Sequence, residues 1–414
     1  MELTDTPELA AFRAEARAWL EANVPPLGEE ESGVIGLFAE HEDEEAFLAK
    51  ARHWQARLAD AGWAGITWPT EYGGRGLTPV HEIIWRQEAA HFDLPVGVFG
   101  IGIGMGGPTI MTWGTDEQKE RWLRPMLRGE EIWCQLFSEP AAGSDVAGLR
   151  TRAIRDGDEY VVTGQKVWTS GAHYSKWGML LARTDPNVPK HAGLSYFIID
   201  MEQPGIEVRP LRQMTGGTNF NEVFFDGARV PVEHLLGAEG MGWSVALTTL
   251  MNERVAIGGY LVGAAGVFDN LRRMFDRVAE ERGTHPLADP LIRDRATDLY
   301  IRGQVLRFMT QRIIAKLAKG EIPSAEGSAA KLGLTSLLSR LANLAIDVQG
   351  AAGMLGPDDA IDEGRWALAF LGYPGMRIAG GTDQILRNII GERVLGLPGE
   401  PRVDKDVPFS QIPG

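Results

Sequence analysis

The sequence predicts a multidomain α+β protein with a helical N-terminal domain, a central antiparallel β-barrel or sandwich domain, and a C-terminal four-helix bundle. Three observations lead there. The apolar period is helical up to about residue 132, changes to two from about 133 to 240, and becomes helical again from 241. The β-rich runs in the middle follow one another without intervening helices, which argues against βαβ units. At 414 residues the chain is too long for a single hydrophobic core. The expected domains are therefore residues 1–132, 133–240 and 241–414.

In the first zone, the segment from Pro7 to Leu20 places Leu9, Phe12, Ala16, Trp19 and Leu20 on one stripe at helical spacing. A second helix is expected from Glu44 to Ala61, with Gly62 stopping it as a C-cap. The acidic stretch from Gly28 to Glu45 reads as a solvated loop. Another loop, Trp68-Pro-Thr-Glu-Tyr-Gly-Gly, comes before more helix. In the second zone, strands are expected at Trp133–Phe137, Glu159–Thr163, Trp177–Ala182, Leu194–Ile199, Ile206–Leu211 and Glu222–Phe225. Asp156-Gly157 and Asp226-Gly227 give turn signals between them. In the third, segments near 241–281, 289–318, 325–350 and 382–395 are long enough for bundle helices.

The formal net charge of −15 argues against nucleic acid and against anionic membrane surfaces as partners. A small phosphorylated ligand stays compatible, because local N–H groups and arginines outweigh a distant net charge. No 18-residue apolar run offers a membrane span, and the acidic N-terminus has neither a basic nor an apolar leader region. A single cysteine, Cys134, fits a reducing compartment, so a cytoplasmic protein is expected. Gly102, Gly104 and Gly107 form a Gly-x-Gly-x-x-Gly match, but no strand precedes them and no parallel sheet surrounds them. Close helix packing, or room for a ligand tail, explains these glycines better than dinucleotide binding.

Glu253 is the clearest anomaly. Positions three, four and seven residues away are Thr249, Leu250, Ala246, Ala256, Ile257 and Tyr260, so its carboxylate is expected on a largely dehydrated helix face. Burial there disfavours the charged form and raises the pKa. The plain alternative is a buried glutamate paired with an arginine from another helix. Three further segments stand out: Gln135-Leu-Phe-Ser-Glu-Pro-Ala-Ala-Gly-Ser-Asp145, Gly164-Gln-Lys-Val-Trp-Thr-Ser170 and Ala379-Gly-Gly-Thr-Asp-Gln-Ile385. They offer a turn exposing N–H groups, a strand presenting an indole plane, and glycines ahead of a helix whose amides suit an oxyanion. Taken singly, each is equally well a turn, a hairpin strand and a helix cap.

Together and in this order they resemble the acyl-CoA dehydrogenase family over essentially the whole chain. The shared motifs are Trp68-Pro-Thr-Glu-Tyr-Gly-Gly, Ser138-Glu-Pro-x-x-Gly-Ser-Asp, Gly164-Gln-Lys-x-Trp, Gly237-x-x-Gly-x-Gly-Trp and Gly380-Gly-Thr-x-Gln-Ile-x-x-Asn-Ile-Ile-Gly-Glu-Arg. The resemblance implies non-covalent FAD. Phe137, Ser138, Trp168 and Ser170 would line the flavin ring, with Ser138 at the pyrimidine edge and Ser170 at N5. Thr382 and Gln384 match FAD contacts ahead of the last helix. Arg282, Gln349 and Gly353 match positions reaching the pyrophosphate and adenine side of a neighbouring subunit's FAD. Ser144 and Arg254 match positions near CoA and the thioester. His285 and Arg293 depart from the family's residues after the arginine matching Arg282, which affects the cross-subunit contacts.

Many members carry the base as a glutamate just before the Gly-Thr pair, where this chain has Gly380. Isovaleryl-type, long-chain-type and actinobacterial steroid-degrading members place it on the first bundle helix instead, at the position of Glu253. The implied reaction is removal of the thioester α-proton by Glu253 with hydride transfer to flavin N5, giving a trans-2-enoyl-CoA. The Gly380 N–H and the FAD ribityl hydroxyl would stabilise the enolate, each donor worth on the order of 3 kcal/mol. Electron transfer flavoprotein is the implied acceptor, and a homodimer or homotetramer with FAD at the subunit interface the implied assembly. Two alternatives keep the fold: a partner subunit of a hetero-oligomer, or a flavin monooxygenase or nitroalkane oxidase.

Overall fold

The computed structural model describes residues 5–28, 43–263, 265–319, 326–356, 359–401 and 404–412, with backbone only at 254–263, 265–266 and 317–318. Helices α1 (Pro7–Asn23), α2 (Glu44–Asp60), α3 (Pro79–Ala89), α4 (Gly107–Trp113) and α5 (Asp116–Leu127) come first. Strands β1 (Trp133–Leu136), β2 (Arg152–Asp156), β3 (Glu159–Ser170) and β4 (Trp177–Arg183) follow. They continue through β5 (Leu194–Asp200), β6 (Ile206–Leu211), β7 (Phe220–Pro231) and β8 (Leu235–Leu236). Then come α6 (Gly242–Gly263), α7 (Ala265–Arg282), α8 (Pro290–Ala318), α9 (Glu326–Gln349), α10 (Arg365–Met376) and α11 (Asp383–Arg393). Among the described residues, no helix is long and apolar enough to cross a membrane.

The described residues form two compact units. One holds those of Met1–Glu42, Leu77–Leu94 and Ile257–Pro398. Thr6 starts α1 by accepting the Leu9 N–H at 3.3 Å, and Phe12, Ala16 and Leu20 are its buried stripe. Glu88 of α3, 5% exposed, holds α1 to α3 through Arg13 and Arg17, each at 2.8 Å. The bundle core centres on α9, where Leu334, Leu338, Leu341 and Ala345 meet Trp366 and Tyr373 of α10. Helix α10 was not expected. It is apolar on most sides and carries Gly372 and Pro374, so no one-sided period marks it.

The other unit holds the described residues of Asp43–Gly76, Pro95–Ala256 and Gly399–Gly414. Its 8-stranded sheet runs β6-β7-β3-β2-β4-β5-β8, with β1 on β4. Pairing is antiparallel except at β1–β4 and β2–β4, which are parallel. Leu136, Tyr160, Val162, Leu180, Phe197, Ile199 and Val223 fill its core. Helix α5 starts with a Thr115–Gln118 capping box, and Gln118 Nε2 also donates to the carbonyls of Glu233 (2.7 Å) and Leu235 (2.9 Å).

Two local readings change. Gly157 turns the β2–β3 hairpin as expected, but Asp226-Gly227 is a bulge inside β7, since Thr163 faces Asp226 while Val162 faces Ala228. The expected strand Glu159–Thr163 and the segment Gly164–Ser170 are one continuous strand, β3. Gly102–Gly106 is a π-helical turn leading into α4, with no strand before it among the described residues. A Cβ at Gly107 would lie 2.1 Å from the Trp68 ring, and one at Gly74 would lie 2.1 Å from the Trp68 carbonyl oxygen. The Trp68 motif is therefore a packing lock. Most of the acidic stretch after Gly28 lies outside the described residues.

Candidate active site

The β-unit brings four of the expected residues together. Ser138 closes the end of β1, and its carbonyl accepts the Val167 N–H at 2.9 Å. That bond sits where β3 bulges between Lys166 and Thr169, leaving Val167 and Trp168 outside the ladder with β7. Trp168 has φ +60, a left-handed backbone that costs a bulky side chain about 1–2 kcal/mol. The residue is nevertheless 60% exposed, and the Phe220 ring meets its indole edge-on at 6.0 Å. Phe137 is buried beside Tyr196, and Ser138 and Ser170 are half-buried. Among the described residues, no hydrogen bond engages the hydroxyl of Ser138 or Ser170. An exposed indole on a strained backbone, beside two available hydroxyls, fits a flat heterocycle with polar edges.

A buried ion pair lies behind this surface. Lys166, fully buried, donates to the Phe137 carbonyl and to Glu139 Oε1, both at 2.9 Å. Glu139 also accepts the backbone N–H groups of Arg150 (2.6 Å) and Thr151 (2.9 Å). Burial pushes the Lys166 pKa down to about 8, against the pull of Glu139. Burial also acts to raise the Glu139 pKa, but the Lys166 charge and the backbone donors hold it below its ordinary value. Both residues stand inside motifs read from the sequence. Nothing in their spacing shows that they pair, because the contact spans 27 residues.

Ser144 is exposed in the turn that follows, where Lys190 holds the neighbouring Asp145 at 2.8 Å. Glu253 lies on α6 and is half-buried. One helical turn before it, fully buried Thr249 shares its hydroxyl with Thr109 of α4 (3.0 Å) and Tyr196 of β5 (3.1 Å). Glu253 is thus placed by a helix segment hydrogen-bonded into the sheet unit. The side chains of Arg254, Ala256, Ile257 and Tyr260 lie outside the described residues.

The bundle unit brings the other expected residues into two groups. Gly380, Thr382 and Gln384 share the turn into α11, where Thr382 caps the helix by accepting the Ile385 N–H at 3.2 Å. Gly380 and Gly381 are both left-handed, with φ +63 and +90. Arg282, Gln349 and Gly353 gather at the C-terminal end of α9. Arg282 donates to the carbonyls of Val348, at 2.8 Å, and Gln349, satisfying groups that the helix end leaves open. Gln349 is 1% exposed, and its Nε2 has no acceptor among the described residues. A polar ligand oxygen would supply one. Lys331, buried on α9, was not singled out from the sequence, although a lysine one position from Ala330 and three from Leu334 on an apolar helix face is the kind of signal that marks a committed charge.

Residues 6–130, 134–228 and 240–395 match the family models described as the acyl-CoA dehydrogenase N-terminal, middle and C-terminal domains. The chain belongs to the acyl-CoA dehydrogenase family of flavin-dependent oxidoreductases. It is 41% identical to acyl-CoA dehydrogenase IpdE1 of Mycobacterium tuberculosis over 399 residues, covering 95% of this chain and 99% of the relative. It is 42% identical to acyl-CoA dehydrogenase FadE34 of the same organism over 346 residues, covering 83% of this chain and 46% of that longer protein. Among solved structures, the Tcur3481-Tcur3483 steroid ACAD superposes with a TM-score of 0.79 at 28% identity, covering 97% of this chain and 100% of that one. The ChsE4-ChsE5 complex from Mycobacterium tuberculosis gives 0.79 at 30% identity over the same shares.

Proposed function

We propose that this chain binds FAD and oxidises an acyl-CoA thioester to its trans-2-enoyl-CoA, with Glu253 as the base for the α-proton. The observation that carries this reading is the strained, exposed Trp168 between Ser138 and Ser170, in the same compact unit as the half-buried Glu253. Phe137, Ser138, Trp168 and Ser170 hold the flavin ring. Thr382 and Gln384 hold the FAD ahead of α11, and Arg282, Gln349 and Gly353 its pyrophosphate and adenine side across a subunit interface. Bound FAD supplies the acceptor for the β-hydride.

The α-proton of a thioester is a weak acid, so the protein must both supply a base and stabilise the enolate. Glu253, half-buried on α6, takes that proton. The Gly380 N–H donates to the thioester oxygen as negative charge develops there. Ser144 and Arg254 orient the CoA portion and the thioester. Electron transfer flavoprotein takes the electrons onward.

For the substrate we propose a bulky acyl group, branched, long or steroid-derived. The base position on α6 and the likeness to a chain described as a steroid ACAD support this. A second reading concerns assembly. Two similar solved structures pair different chains, Tcur3481 with Tcur3483 and ChsE4 with ChsE5, which favours a hetero-oligomer over the homo-oligomer. The FAD-loaded chain should be mixed anaerobically with butyryl-, isovaleryl-, palmitoyl- and steroid side-chain CoA thioesters. Loss of flavin absorbance with enoyl-CoA formation is expected, fastest with the bulky thioesters. Flavin that no thioester reduces, but a nitroalkane does, would sink the proposal. A chain that purifies colourless alone and yellow with a second subunit would decide for the hetero-oligomer.

A further inference from the structure

Lys331 is 4% exposed, and its Nζ donates to the carbonyl oxygen of Gly381 at 2.8 Å. One helical turn on, Thr335 of α9 is fully buried and places its hydroxyl 3.4 Å from Asp383 Oδ1. Asp383 is 2% exposed and accepts Nε and Nη2 of Arg377, both at 2.7 Å. Its own N–H donates to the Arg377 carbonyl at 3.1 Å. One face of α9 therefore grips the turn from Arg377 to Asp383 at two points.

Gly381, at the first of those points, and Gly380 just before it give the turn little rigidity of their own. Gly380 and Gly381 are consecutive left-handed residues, and glycine samples this region and its mirror with equal ease. The Ala379 N–H is tied to the Gly375 carbonyl at 2.9 Å, but among the described residues no backbone acceptor takes the Gly380 N–H. That donor can face a ligand, and its direction depends in part on how the chain after it is held, where the Gly381 carbonyl belongs to the second peptide beyond its own. The buried Lys331 ammonium supplies a charge-assisted hydrogen bond to that carbonyl.

We propose that Lys331 is a positioning residue for the dehydrogenation. It pins the Gly381 carbonyl so that the Gly380 N–H points at the thioester oxygen. The inference rests on the dehydrogenase reading, and it concerns a residue that does not itself touch the substrate. Without the ammonium, the Gly380–Gly381 turn rotates among several conformers. The stabilisation of the developing enolate is then lost, while binding of the CoA portion is not. The signature is a fall in kcat with little change in KM.

The test compares wild type with Lys331→Met, Lys331→Gln and Lys331→Arg in the FAD-loaded chain. Amide hydrogen exchange across residues 377–383 is measured without substrate, and steady-state kinetics with the best thioester. For Lys331→Met, exchange in the turn is expected to speed up by about tenfold while the core of α9 exchanges as before. Its kcat is expected to fall on the order of 100-fold, the scale of an ångström-sized misplacement. Lys331→Arg should restore most of both. Unchanged exchange in the turn, or a rise in KM with kcat unchanged, would overturn the proposal. If Lys331→Met does not fold, Lys331→Gln, which keeps a short polar donor, is judged by the same two criteria. A wild-type chain that turns over no thioester defeats the dehydrogenase reading, and the exchange data then decide separately whether Lys331 holds the turn.

Discussion

The Lys166 ammonium and the Glu139 carboxylate lie 2.9 Å apart, with the lysine fully buried and the glutamate nearly so. Through the further bond from Lys166 to the Phe137 carbonyl, this pair joins the end of β1 to the bulge in β3. The same two backbone segments carry Phe137, Ser138 and Trp168. The pair is the foundation of the proposed flavin surface.

Removing one member leaves the other charge buried. Lys166→Met is expected to destabilise the protein by about 3–5 kcal/mol, as breaking a buried pair does. The double variant Lys166→Met/Glu139→Gln should recover part of that loss, because it buries no unpaired charge. Urea denaturation followed by circular dichroism measures all three. A double variant no better than Lys166→Met would show that packing matters more than charge at this site.

The same pair sets an acid limit. Glu139 has a pKa held below its ordinary value of 4.5, so its contribution to stability is present above pH 4.5 and is lost as pH falls through the depressed folded value. Wild type should therefore lose stability more steeply below pH 4.5 than Glu139→Gln does. Denaturation midpoints collected from pH 6 to pH 3 check the difference in slope. Parallel curves would remove Glu139 from the account.

Trp168 separates strain from ligand binding. Trp168→Gly removes a side chain from a left-handed backbone, so the FAD-free protein should be no less stable and up to about 1 kcal/mol more stable. Loss of the stacking plane should meanwhile weaken FAD binding by about tenfold, from an aromatic contribution near 1.4 kcal/mol. Thermal melting of the FAD-free protein and titration with FAD give the two values. An affinity equal to wild type would show that the indole does not meet the cofactor.

How far the sequence could be read follows from what makes each feature local. The shift of apolar period marked the helical, β and helical zones, because one buried face is a local property of a helix or strand. Strand β2 was missed because it buries only Ala153, while Ile154 is exposed, so no alternation shows. Asp226-Gly227 looks the same in a turn and in a bulge, and only pairing with Val162 and Thr163 distinguishes them. The motif positions pointed to Ser138, Trp168 and Gly380. The left-handed backbone of Trp168 and the partners of Lys166 and Lys331 depend on contacts distant in sequence, which no local pattern encodes.

The glycines leading into and opening α4 divide by what surrounds them. Gly102, Gly106 and Gly107 have packing reasons, since a Cβ at each would press on Met126 and Trp133, on Met179, or on Trp68. A Cβ at Gly100 would meet nothing within 4 Å, and Gly104 is half-buried in the π-helical turn, a feature frequent at functional sites. If this turn leaves room for the acyl tail, Gly104→Leu should lower kcat/KM for bulky thioesters by at least about tenfold more than for butyryl-CoA. Equal losses on both substrates would remove the glycines from any account of specificity.

The role of Glu253 is tested most directly by Glu253→Gln. This near-isosteric change keeps the helix and removes the proton acceptor. The variant should bind FAD as wild type does, and rapid anaerobic mixing with the best thioester should leave the flavin band unbleached, with the rate down by at least about 1,000-fold. Bleaching at close to the wild-type rate would contradict the assignment and place the base elsewhere.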